Sequence, residues 1–139
     1  MRMKLAIAMA SIGLLLSAGQ LVAHHAFTAE FDADRPVELK GTVSKMEWIN
    51  PHSWLHIDVK DDSGEVVTWA VELGAPNAML RRGWNKNSIP IGTLVTVYGW
   101  QAKNRQPLAN ARDIVLPDGR KLFASSPGSG APGDPGAGK

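Results

Sequence analysis

The sequence predicts a mainly β protein: a small, closed barrel of five strands with one short helix between strands three and four. Three observations lead to this fold class. Apolar and polar residues alternate with a period of two in several stretches, as they do in half-buried strands. Residues that favour turns separate these stretches. One short helical stretch, opened by Pro76 and ended by Gly83, lies between the third and fourth alternating stretches.

The first predicted strand is long and bent. Val37, Leu39 and Val43 alternate with polar residues, and the run continues to Trp48. Gly41 lies within this run, and a glycine inside a strand pattern indicates a bulge or a sharp bend. We expect the bend to let this one strand serve both sides of a small barrel.

The second and third predicted strands form a hairpin. Asn50 and Pro51 end the first strand, and alternation resumes over residues 54–59. Residues 61–64 (DDSG) have the composition of a hairpin turn. The residues expected to point inward from the third strand are Val67, Trp69, Val71 and Leu73.

The remaining elements complete an order of three strands, a helix and two strands. The helix is predicted over residues 77–82, the fourth strand over 93–100 and the fifth over 109–116. A turn then leads into a short extension at residues 120–123. This order is typical of the OB-fold, a five-stranded Greek-key barrel with a helix between strands three and four. Another small barrel or a sandwich is the alternative.

The amino terminus has the pattern of a secretory signal peptide. Arg2 and Lys4 precede an uncharged, apolar stretch at residues 5–16, and small residues follow. The stretch is shorter than the roughly 20 residues of a membrane-spanning helix, so an uncleaved anchor is the less favoured alternative. We expect cleavage after Ala23, with Gly19 as the other candidate. The mature protein is then periplasmic and has no stable membrane anchor.

The mature chain divides into an arm, a barrel and a tail. We expect Phe27 and Phe31 to pin the arm to the barrel. The tail is rich in Gly, Pro and Ser and has no large apolar residue, so we expect it to be disordered. The predicted segments are a signal peptide at 1–23, an N-terminal arm at 24–35, an OB-like barrel at 36–123 and a disordered tail at 124–139.

Charge and composition exclude several functions. The 139-residue chain has 15 Lys and Arg against 13 Asp and Glu; Arg2 and Lys4 leave with the signal peptide, so 13 of each sign remain. Nucleic-acid binders usually have a basic excess, so we expect no nucleic-acid partner. The absence of cysteine excludes disulfides, thiol catalysis and thiolate metal sites. No nucleophile elbow, phosphate loop or zinc-protease motif occurs, and we expect a non-enzymatic protein.

Three motifs are distinctive: the His24–His25 start, NPH at residues 50–52 and DGRKLF at 118–123. They resemble motifs of a family of uncharacterised exported bacterial proteins, the domain-of-unknown-function family 6152. The resemblance covers residues 24–123 and implies export, a small β-rich domain and no assigned reaction. A looser similarity is to periplasmic OB-fold proteins that bind small ligands or carry haem. Their haem attachment uses a His followed four residues later by Tyr, and no His of this chain has that spacing.

The candidate ligand site lies where OB-folds usually bind, on strands two and three between the loops 1–2 and 4–5. Aromatic residues and two cations there predict a site for a flat or anionic ligand. His56 follows Trp54 on the same face of strand two. The opposing interpretation is that the tryptophans plug the barrel ends. The candidate residues are Trp48, His52, Trp54, His56, Trp100, Lys103 and Arg105.

A metal site is the alternative function. Cleavage after Ala23 would make His24 and His25 the first residues, where the α-amine adds a ligand to the imidazoles. Nitrogen ligands without thiolate favour copper(II), with His52 as a further ligand. The opposing interpretation is a solvated terminus whose histidines bind nothing. The sequence thus predicts a periplasmic binding protein for a small molecule or another periplasmic protein, or alternatively a copper(II)-binding protein.

Overall fold

Six β-strands in one sheet make up most of the protein. The computed structural model describes residues 27–125 and 129–133. The strands are β1 (Phe31–Glu47), β2 (Trp54–Lys60), β3 (Val66–Glu72), β4 (Leu94–Ala102), β5 (Leu108–Val115) and β6 (Lys121–Phe123). A helix, Pro76–Arg81, lies between β3 and β4. The prediction of a mainly β protein is confirmed.

The described chain has a sixth strand where the sequence predicted a short extension. A turn after β5 brings the chain back, with the Gly119 amide donating to the Leu116 carbonyl at 2.9 Å. Gly119 has a φ of +83°, a conformation that glycine adopts without steric cost. The three residues that follow pair antiparallel with β5 and form β6. The count of five strands is therefore corrected to six.

The strands follow the order β3-β2-β1-β4-β5-β6, and neighbours in this order pair antiparallel. β3 also pairs with β5, in parallel. The pairings therefore join β1, β2, β3, β5 and β4 in a ring. β1 contributes twice to this ring, because its first part pairs with β4 and its last part with β2.

Gly41 occupies the point where β1 changes partners. It pairs with Val59 of β2 and with Val95 of β4. A Cβ atom built on Gly41 would lie 2.8 Å from the carbonyl oxygen of Asp58. Only glycine allows the two backbones to approach so closely, which explains the glycine within this strand pattern.

The main core fills the inside of the ring. Alternate residues of the strands point inward, and the helix and the chain after it add further apolar side chains. The largest fully buried members are Val43, Leu55, Ile57, Val71, Leu73, Met79, Ile89, Val95, Val97 and Ile114.

A second apolar cluster lies on the outer face of β4 and β5. Its members are Phe27, Phe31, Trp100, Ala102 and Ala131, with Leu108 packed against them. The Phe27 ring meets the Trp100 ring edge-on, with centroids 5.5 Å apart. Residues 27–30 are helical and lead directly into β1, which starts at Phe31, inside the segment that the sequence assigned to the arm. We call this group the outer cluster.

The chain after β6 also contributes to the outer cluster. Ala131 is 1% exposed and packs there, whereas the sequence predicted a disordered tail from residue 124. The predicted signal peptide, His24 and His25 lie outside the described residues, as do 126–128 and 134–139. Within the described part of the chain, no helix has the length and apolar character needed to cross a membrane.

Candidate functional site

A row of five residues crosses the outer face of the ring, each paired with the next on the neighbouring strand. Their chain neighbours Leu55, Val71 and Ala109 point into the core, so the row itself points outward. We call this set the outer row. It consists of Glu47, Trp54, Glu72, Asn110 and Trp100, in that order across β1, β2, β3, β5 and β4.

Glu72 is the buried carboxylate of the outer row, at 8% exposure. The amide Nδ2 of Asn110 donates a hydrogen bond of 3.2 Å to its Oε1. Nδ1 of His52 lies 3.5 Å from the same oxygen. Burial raises the pKa of Glu72 above its ordinary value, and the negative charge of Glu30 raises it further, while His52 and Asn110 act against this shift. The site therefore holds a carboxylate in surroundings that disfavour its charge.

Two polar atoms beside Glu72 are buried and have no hydrogen-bond partner among the described residues: Nδ1 of His52 and Oδ1 of Asn110. Asn110 is itself only 2% exposed. An unpaired buried polar group typically costs about 1–3 kcal/mol, so proteins rarely retain one without a bound water or ligand. His52, Glu72 and Asn110 thus form an incompletely satisfied polar cluster. We call it the buried triad because Glu72, Asn110 and the His52 Nδ1 atom are buried, although the His52 side chain as a whole is 32% exposed.

A second histidine–carboxylate pair lies on the other side of Trp54. Nε2 of His56 lies 2.8 Å from Oε2 of Glu47, within hydrogen-bond distance, and Nζ of Lys45 lies 2.6 Å from Oε1. The Lys45 and His56 hydrogen bonds hold the pKa of Glu47 below its ordinary value. Unlike His52 and Glu72, the half-buried side chains of His56 and Glu47 satisfy each other at hydrogen-bond distance.

The structure brings together three of the sequence-predicted site residues, His52, Trp54 and His56. Trp54 is half-buried and stands in the outer row between the two carboxylates Glu47 and Glu72. Each histidine contacts one of these carboxylates. The arrangement is a half-buried aromatic ring flanked by two histidine–carboxylate pairs.

Four other predicted residues do not assemble into the aromatic and cationic patch that the sequence suggested. Trp100 is 6% exposed beneath Phe27 and serves as packing in the outer cluster. Trp48 packs against the main core and lines an open cavity of about 490 Å³ with Met46, Ile89 and Ile91 among others. Nζ of Lys103 donates to the carbonyl of Thr28, and Arg105 is exposed in the β4–β5 turn with a φ of +62°.

Sequence reasoning did not predict Asn110 or Glu72 as site residues. Their contact depends on the parallel pairing of β3 with β5, which joins segments 38 residues apart. Glu47 and Glu72 are also not direct neighbours, because β2 places Trp54 between them. The one local signal was Asn110 itself, an asparagine between two alanines in a strand, where asparagine is depleted.

The described residues contain no group of three or more His, Asp or Glu side chains placed to hold a metal ion. The predicted copper ligands His24 and His25 lie outside the described residues. His52 is therefore the one predicted metal ligand whose surroundings the structure describes.

These features define a mainly β protein with one sheet and a partly buried His–Glu–Asn cluster on its outer face. Residues 11–109 match the model of a family of unknown function, DUF6152, and the chain belongs to this family. No curated protein matches the chain.

Proposed function

We propose that this protein is an exported, non-enzymatic binding module of the OB type. The ring β1-β2-β3-β5-β4 and the helix between β3 and β4 support the OB type, since that fold is a five-stranded barrel with a helix at this position. The basic start, the apolar stretch at 5–16 and the small residues before His24 support export to the periplasm.

The ligand binds at the buried triad, beside Trp54. The observation that carries this proposal is the pair of buried, unpartnered atoms next to a buried carboxylate, His52 Nδ1 and Asn110 Oδ1. A ligand that hydrogen-bonds to these two atoms removes the free-energy cost of burying them unpaired. The outer faces of strands two and three are also where OB-folds commonly bind their ligands.

The chemistry of the site favours a cation or a hydrogen-bond donor. The carboxylate of Glu72 and the free oxygen of Asn110 both offer lone pairs, and Glu30 adds negative charge nearby. Such a site repels phosphate and other anions. We therefore propose a small cation or hydrogen-bond donor as the ligand, in place of the anionic ligand that Lys103 and Arg105 suggested.

The test is native mass spectrometry of the mature protein recovered from the periplasm of its own host. We expect a bound mass in addition to the polypeptide, retained in Thr68→Val and lost in Asn110→Ala. Thr68 is the control because it lies on β3, the strand that carries Glu72, but is exposed and is not part of the buried triad. Recovery from the cytoplasm, or equal retention in both variants, would overturn the proposal. Turnover in a broad hydrolase and oxidoreductase screen would overturn its non-enzymatic part.

Copper(II) binding by the processed N-terminus is the second candidate. The observation that favours it is the anchoring of the N-terminal segment beside the site: Phe27 packs on Trp100, and Glu30 acts on the pKa of Glu72. His25 precedes Phe27 by two residues, so chain length alone keeps their Cα atoms within about 7 Å.

Two measurements test this second candidate. Mass spectrometry of the exported protein should give a chain that begins at His24, since a chain beginning at Gln20 lacks the α-amine ligand. A copper(II) titration should then show an affinity that falls at least tenfold in the double variant His24→Ala/His25→Ala. Unchanged affinity in that variant would show a solvated terminus.

A further inference from the structure

We propose that His52 Nδ1 and Glu72 Oε1 are protein ligands of a divalent transition-metal ion, with Asn110 as the oxygen donor behind them. This inference rests on the proposed function, because it names the ligand class of the same site. It differs from the second candidate, because its ligands lie in the folded sheet and do not require a free α-amine.

The distance between the two donor atoms fits two ligands of one ion. Nδ1 of His52 and Oε1 of Glu72 are 3.5 Å apart, and the histidine atom makes no hydrogen bond. Bonds of about 2.0–2.2 Å to a tetrahedral ion place nitrogen and oxygen ligands roughly 3.4 Å apart. The separation is thus too long for a good hydrogen bond and suitable for a shared ion.

Asn110 provides an independent observation at the same place. Its Oδ1 is unpartnered although the residue is almost completely buried, and its Nδ2 fixes the amide against Glu72. A hydrogen bond to a ligating carboxylate is a usual second-shell feature of metal sites. The oxygen left over can bind the ion or a water molecule on it.

The second histidine–carboxylate pair provides a comparison, because its polar atoms are satisfied by each other and by a lysine without a metal ion. His56 and Glu47 are 2.8 Å apart, and Lys45 neutralises the carboxylate. A cation there would compete with a lysine ammonium. Beside Glu72 the opposite holds, because Glu30 adds negative charge. Only the His52 pair therefore has surroundings that attract a cation.

The donor set of the proposed site, an imidazole nitrogen with carboxylate and amide oxygens, favours some metals over others. Copper(II) and zinc accept imidazole and oxygen together, and copper(II) binds most tightly in the divalent series. With two or three donors from the described chain, the remaining positions on the ion are left for water.

The experiment is a calorimetric titration of the chelator-treated mature protein with zinc(II) and with copper(II). His52→Ala and Glu72→Gln are compared with His56→Ala, the matched control, because His56 is also a half-buried histidine beside a carboxylate. A second readout is the ¹⁵N chemical shift of the His52 ring nitrogens, which moves when Nδ1 binds a metal. Circular dichroism confirms that each variant is folded.

We expect one ion per chain, an affinity at least tenfold lower in His52→Ala and Glu72→Gln, and less than a twofold change in His56→Ala. Equal losses in His52→Ala and His56→Ala, or an unchanged His52 Nδ1 shift at saturation, would overturn the inference. Absence of binding by the wild-type protein at millimolar metal would also overturn it. The proposed function would survive that last result if the periplasmic protein still carried a bound organic mass.

Discussion

Glu72 is the residue at which the requirements of folding and of binding conflict most clearly. Its pKa is raised chiefly by burial, so the folded state binds a proton on this carboxyl more readily than the unfolded state does. The stabilisation that this proton gives is fully present below the unfolded pKa of 4.5 and is lost as the pH rises through the higher folded pKa. A charged Glu72 at neutral pH therefore weakens the fold.

Replacement of Glu72 by Gln should increase the stability of the metal-free protein at pH 7. The amide oxygen of glutamine can still accept from Asn110, while the buried charge is removed. The gain should shrink as the pH falls towards 4, where the wild-type carboxyl is itself protonated. Urea denaturation at both pH values measures the difference. A less stable variant at pH 7 would show that the His52 contact outweighs the burial of the charge.

The two tryptophans of the outer row should respond differently to truncation. Trp100 is buried beneath Phe27, so Trp100→Ala should lower the free energy of unfolding by about 3–5 kcal/mol. Trp54 is half-buried, so Trp54→Ala should cost clearly less in the unligated protein. Chemical denaturation of both variants tests this order. Similar losses in the two would mean that Trp54 is also a packing residue and not part of a ligand site.

At the scale of the elements, β4 and β5 approach each other closely at Gly99. A Cβ atom there would overlap the carbonyl oxygen of Asn110, the residue that holds Glu72. The register of these two strands also shifts between Tyr98 and Gly99. The bulge and the glycine together position Asn110 in the outer row.

Gly99→Ala should therefore destabilise the protein by at least about 2 kcal/mol, because the overlap involves backbone that cannot move aside. Gly64→Asn is the control. Gly64 has a positive φ, which Asn tolerates, and open space around it, so we expect a change of a few tenths of a kcal/mol. Thermal unfolding compares the two. A Gly99→Ala protein as stable as the control would contradict the close approach of β4 and β5.

Local patterns predicted the elements better than they predicted the contacts between them. The alternation of Leu55 and Ile57, the turn at residues 61–64 and the proline that opens the helix are all readable without tertiary information. The pairing of β3 with β5 is not, because it joins strands distant in the chain. For that reason His52 and Trp54 were predicted as site residues, whereas Asn110 was not.

At the scale of the whole molecule, the outer cluster ties both ends of the described chain to the sheet. Sequence reasoning placed domain boundaries at residues 35 and 123, where the composition changes. Phe27, Phe31 and Ala131 lie outside or at these boundaries and still pack around Trp100. The sequence identified the two phenylalanines as anchors but not their aromatic partner, because the burial of Trp100 depends on what covers the outer face.

The outer cluster and the buried triad are neighbours on one face of the sheet, since Trp100 and Asn110 are paired residues of the outer row. Anchoring of the N-terminal segment also brings Glu30 close enough to act on Glu72. The outer face of the sheet thus carries two adjacent regions: the outer cluster, which is apolar, and the buried triad, which is polar and has unpaired atoms. We propose that the ligand binds at the buried triad.

The central claim, that the buried triad holds a ligand, is tested most directly by the ring nitrogens of the two site histidines. Long-range ¹H–¹⁵N NMR spectra are recorded for protein taken intact from its native periplasm and for the same protein after unfolding and ligand-free refolding. We predict that His52 Nδ1 differs between the two samples while His56 stays the same. Identical His52 signals in both, with a bound mass present in the native sample, would contradict the claim.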